Sequence, residues 1–60
     1  MDEFKFTHKF TDDLIYTARK IDRSGIYRVT WKRYGKSEQV DFPIEEAQQY
    51  IESKVWEVIS

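Results

Sequence analysis

His8 is the only imidazole in the chain, and Asp12 and Asp13 follow it closely. These residue types could serve as a general base or as metal ligands. No second histidine and no cysteine accompany them, so neither a zinc set nor a nucleophile–base pair is complete. Among Phe4, Phe6 and Phe10, His8 reads as a packing residue on a strand. Asp12–Asp13 and Glu45–Glu46 are adjacent carboxylates. Sequence neighbours on a strand or helix diverge rather than converge on one substrate, which excludes a glycosidase-type pair. The two glycines, Gly25 and Gly35, are each needed by a turn, leaving no glycine-rich loop to cradle a phosphate. No cofactor or metal is expected, and the chain reads as a non-enzyme.

Binding chemistry is better represented. Tyr27-Arg28-Val29-Thr30-Trp31-Lys32-Arg33-Tyr34 interleaves cations with rings, a pattern suited to phosphates and stacked bases. It lacks the glycines and paired phenylalanines of an RNA-recognition motif. Alternation also sends Tyr27, Val29 and Trp31 to one side, with Arg33 at its end, and Arg28 and Lys32 to the other.

Charge follows the same division. The 60 residues carry 10 Lys+Arg and 11 Asp+Glu, a net charge of −1. Residues 19–36 hold seven of the cations and only one acid, Asp22, whereas residues 37–60 hold Lys54 and six acids. The absence of cysteine removes disulfides and thiolate chemistry. No apolar run approaches the ~20 residues of a membrane span. The acidic start Met1-Asp2-Glu3 lacks the features of a secretory signal, so a cytoplasmic protein is expected. One domain spanning residues 1–60 is expected, and its core must come from four Phe, four Tyr and two Trp.

Three turns position these residues. Tyr34-Gly35-Lys36-Ser37 suits a two-residue loop with glycine first. It sets Trp31 against Val40, Val29 against Phe42 and Arg33 against Glu38. Asp22-Arg23-Ser24-Gly25 suits a turn closed by a left-handed glycine. It sets Ala18 against Val29, Tyr16 against Trp31 and Arg19 against Arg28. A loop Thr11-Asp12-Asp13 would set Phe10 against Leu14 and Phe6 against Ala18. All three put the apolar residues on one face, which predicts a four-stranded antiparallel meander. Residues 12–21 also fit a helix, with Leu14, Ile15, Ala18 and Ile21 at helical spacing. Pro43 suits a first helical position, Glu45 and Glu46 its first turn, and Ile44, Ala47, Ile51 and Val55 an apolar stripe. The tail from Val55 to Ile59 either extends this helix or forms a short final strand. The fold class is α+β, with the helix packed on the aromatic face.

The other sheet face is then open. Its expected binding residues are Lys5, Arg19, Arg28, Lys32 and Tyr34, with Lys9 beside them. The helix exterior, with Glu45 and Glu52, is acidic. This contrast points to an acidic protein partner for the sheet face, with nucleic acid as the alternative. The run Phe42-Pro43-Ile44-Glu45-Glu46-Ala47-Gln48-Gln49-Tyr50-Ile51-Glu52-Ser53, followed by Trp56-Glu57-Val58-Ile59, resembles the tail of many short proteins of tailed bacteriophages. In those, a small antiparallel sheet leads to a helix and a Trp-containing end. The resemblance covers under half the chain and implies a small protein that binds and modulates a host protein. It carries over no functional residues.

Overall fold

The structure, a computed structural model, describes residues 2–21 and 23–60, and only the backbone of Asp12. The elements are β1 (Glu3–His8), β2 (Thr11–Lys20), β3 (Ile26–Arg33), β4 (Lys36–Pro43), α1 (Ile44–Glu52) and β5 (Trp56–Val58). They form one antiparallel sheet in the order β4-β3-β2-β1-β5, with α1 on one face. The α+β architecture and the strand over residues 12–20 follow the turn-based reading, and the tail left open between helix and strand ends in the short strand β5. No helix of the described residues is long and apolar enough to cross a membrane.

Strand wins over helix in β2 because of what its alternation achieves. Tyr16 and Ala18 share the inner face with Phe6 and Phe4 opposite them. The Tyr16 and Phe6 rings stack at 5.2 Å, and Ala18 is fully buried. A helix would turn residues two apart to opposite sides and lose both contacts.

Two registers differ from expectation. The β3–β4 turn is Tyr34-Gly35, with φ of 53° and 77°, and its closing pair is Arg33 with Lys36. Both central residues are left-handed, as a type I′ turn requires. The ladder is therefore offset by two residues from the expected one, so Val29 meets Val40, Trp31 meets Glu38 and Arg28 meets Asp41. An even offset keeps every side chain on its expected face. In the first hairpin the turn is Lys9-Phe10 rather than Thr11-Asp12-Asp13. Between the pairs Phe6–Tyr16 and His8–Thr11, β1 advances two residues and β2 five. That bulge in β2 is tied across its base by a 3.0 Å hydrogen bond between the Thr11 and Tyr16 hydroxyls. Phe10, expected on the core face, is consequently at the turn and mostly exposed. The middle turn keeps the expected pairs, including Ala18–Val29 and Arg19–Arg28. Asp22 of that turn lies outside the described residues.

The buried core among the described residues is Phe4, Phe6, Ala18, Val29, Ala47 and Trp56. Trp56 joins its parts. Its ring stacks on Phe6 at 4.1 Å and meets Phe42 and Tyr50 at 5.2 Å each. Phe42 and Trp56 sit on strands at opposite edges of the sheet. Five flat strands would hold those edges roughly 19 Å apart, with side chains standing perpendicular to the sheet. The ring contact therefore requires the sheet to curl around Trp56, and the β2 bulge supplies local bending and twist.

α1 begins directly from β4. Pro43 both pairs with Ile26 and forms the helix N-cap, one position before that expected. The Ile44 N–H donates to the Gly25 carbonyl, so the middle turn satisfies one of the helix's unpaired amides. Tyr50, outside the aliphatic stripe, donates to Glu46 at 2.7 Å. This bond to a carboxylate raises the Tyr50 pKa. The helix ends in a Schellman arrangement, with Val55 N–H to the Tyr50 carbonyl and Lys54 N–H to the Ile51 carbonyl. Lys54 takes the left-handed position at φ 66°, where glycine is usual. The stop signal is thus present without a glycine to mark it. Lys54→Gly should raise stability by about 0.5–1 kcal/mol through relief of that conformation. Urea unfolding at unchanged m-value would show the gain as a higher midpoint, and a lower midpoint would contradict this cap.

Candidate functional site

The outer face of the sheet is built by the residues that alternate with the core. Lys5, Thr17, Thr30 and Gln39 lie in one row, and Glu3, Arg19, Arg28 and Asp41 in the next. The two rows differ electrostatically. In the lower row Arg19 and Arg28 are direct neighbours, a repulsive placement, but each has an acid on its far side. Glu3 lies opposite Arg19, and Arg28 binds Asp41 through Nε at 3.0 Å. The hydrogen bond from Arg28 holds the Asp41 carboxyl below its ordinary range, and the same bond raises the Arg28 pKa.

Above this row the cations have no such neighbours opposite them. A shallow depression is lined by Lys5, Ile15, Thr17, Thr30, Trp31, Lys32 and Ser37, two lysines and no acid. Ile15 of this lining is 57% exposed. A second depression below it is lined by Glu3, Thr17, Arg19, Ile21, Arg28 and Thr30; Glu3 lies opposite Arg19, and Arg28 is paired with Asp41 beyond the lining.

The β1–β2 and β3–β4 hairpin tips lie at the same end of the sheet. The first tip follows His8, two residues beyond Phe6, and the second follows Arg33, two residues beyond Trp31, whose ring lies 5.2 Å from that of Tyr16. The tips thus stand side by side at one end of the sheet, about two strand spacings, or ~10 Å, apart. One presents Lys9 and Phe10, with the Lys9 ammonium 5.4 Å from the ring centre. The other presents Arg33, Tyr34 and Lys36, and Tyr34 is 97% exposed.

Of the six residues expected to bind, the structure brings Lys5 and Lys32 together in the upper depression and places Lys9 and Tyr34 on the two hairpin tips. Arg19 and Arg28 are on the same face but in the balanced lower half. Alternation foretold the face. The division within it depends on registers that the turns shifted by two residues. Phe10 was missed at the first tip because its hydrophobicity suggested core, and only the unpredicted bulge frees it.

His8 accepts the Phe10 N–H at Nδ1, 3.1 Å away, and so holds the first turn. Among the described residues no three His, Asp or Glu side chains are grouped to hold a metal. The inner face also has a recess missed by the sequence reading. It measures about 120 Å³ and is lined by Phe6, His8, Tyr16, Val29, Trp31, Val40, Phe42 and Trp56.

No family model, curated protein or solved structure matches the chain.

Tyr34 combines near-complete exposure with a left-handed backbone that a tyrosine adopts at a cost. Asn before Gly is the favoured pair for this turn. Tyr34→Asn should therefore stabilise the chain by roughly 0.5–1 kcal/mol, seen as a higher thermal midpoint. A destabilised variant would show that the ring packs against the body of the protein.

Proposed function

We propose that this chain is a small non-enzymatic binding protein that docks on an acidic protein surface and thereby modulates it. The contact is the upper half of the outer sheet face. Lys5 and Lys32 supply charge, Ile15 an apolar centre, and Tyr34, Phe10 and Lys9 the rim. The observation that carries the reading is the segregation of charge within one face. Counterions face the arginines of the lower half, while the lysines beside the exposed Ile15 face none. Apolar contact at the centre with charge around it is the usual anatomy of a protein interface. The expectation that the protein modulates a host factor, as short phage proteins do, is compatible with such a surface and belongs to the same proposal.

A second reading is kept because two exposed rings, Phe10 and Tyr34, stand beside cations on neighbouring tips. Rings and cations so placed suit single-stranded nucleic acid. The acidic remainder of the molecule, with a net charge of −1 overall, disfavours it against the protein reading.

Fluorescence anisotropy with a labelled oligo-glutamate peptide and a labelled oligo-dT strand separates these readings. The acidic peptide should bind in preference. Lys5→Gln/Lys32→Gln should weaken it about fivefold, taking up to ~0.5 kcal/mol for each exposed ion pair. Arg19→Gln/Arg28→Gln should change it less than about twofold by the same arithmetic. Tighter oligo-dT binding with a steep salt dependence would transfer the site to nucleic acid. Equal sensitivity to both double variants would overturn the division of the face.

A further inference from the structure

β4 is an edge strand eight residues long, paired on one side only with β3. The opposite edge, β5, has three residues. Long open edges are normally blunted by bulges, prolines or inward charges. Along β4 the ladder to β3 runs without a register shift from Lys36 to Pro43, the proline comes only at its end, and the one inward acid, Glu38, is taken up by the Trp31 indole of its own copy. The tight turn makes Arg33–Lys36 a hydrogen-bonded pair, and antiparallel pairs alternate. The N–H and C=O groups of Ser37, Gln39 and Asp41 therefore point to the open side.

We infer that this edge pairs with the same edge of a second copy, antiparallel about a two-fold axis at Val40. Four observations select that occupant and register. First, Val40 is 44% exposed beside the apolar inner recess, and the axis sets it against its own counterpart. An axis at Gln39 would set Val40 against Glu38. Axes at Glu38 or Asp41 would set an acid against itself, which is destabilising.

Second, both acids of the strand are already engaged within their own copy. Glu38 accepts the Trp31 indole N–H at 2.9 Å, and Asp41 holds Arg28. Third, the strand is electrically polar. Its start carries Lys36 beside Arg33, and its end runs into Glu45 and Glu46 of α1. Antiparallel pairing lays the basic tip of one copy along the acidic helix start of the other, and parallel pairing would lay like on like.

Fourth, the chain has surface to spare. Its accessible area is 4,701 Å², whereas a compact monomer of 7.3 kDa exposes about 4,200 Å². The product is a ten-stranded sheet whose two outer faces are continuous. It needs none of the groups assigned to the docking surface.

Sedimentation equilibrium of the intact chain tests the pairing. Wild type should show a concentration-dependent monomer–dimer equilibrium. Gln39→Pro removes an outward N–H without touching the β3 ladder, so it should abolish the dimer with the far-ultraviolet circular dichroism retained. In the inferred register Gln39 faces Asp41 of the second copy twice. Gln39→Lys should then tighten the dimer, and Gln39→Glu weaken it, by roughly threefold or more each. A strictly monomeric wild type up to millimolar concentration would overturn the inference. So would a dimer indifferent to both charge substitutions.

Discussion

The indole of Trp56 is the contact on which the rest of the molecule depends. It lies on the short edge strand, stacks on Phe6 in the neighbouring strand, and touches Phe42 from the far edge. A sheet whose opposite edges share one ring contact is strongly curled. Curling gathers the few large side chains of a 60-residue chain into one cluster, which a flat sheet of this size would leave half wet. It also fixes what remains outside: a convex face, two hairpin tips and one long edge. The ring is 4% exposed and held on three sides by aromatics, so its packing is specific as well as apolar.

The convex face inherits its chemistry from this arrangement. β1, β2 and β3, which give rings to the inside, give Lys, Arg and Thr to the outside, so the core and the binding face are two readings of the same alternation. Charge on the convex face is then sorted by register. A two-residue change in hairpin register leaves the faces intact and changes which charges meet. Arg28 gains Asp41 by that change, and Lys32 is left opposite Ser37. The division between a balanced and a basic half thus belongs to the turns and not to the composition of the strands.

The same reasoning shows what could be read from the sequence. Period-two alternation in Tyr27–Arg33 and Glu38–Phe42 is a strong signal, and so were the strands and their buried side. Gly25 marked its turn correctly because the last loop position is left-handed. Gly35 misled because the left-handed pair begins at Tyr34, a residue type that does not advertise that conformation. Lys54 hid the end of the helix for the same reason. The β2 bulge has no local signature at all. It exists because Tyr16 must reach Phe6 while His8 reaches Thr11, and those are tertiary demands. Phe10 at the first tip and the inner recess both follow from that bulge and curl, so neither was visible from spacing.

A single nuclear Overhauser spectrum of the intact chain examines the curl directly. Trp56 indole protons should show cross-peaks to the rings of Phe6 and Phe42 together, as centroid distances of 4.1 and 5.2 Å require. Cross-peaks to Phe6 without any to Phe42 would describe a flat sheet with separated edges, and would contradict both the core and the surfaces derived from it.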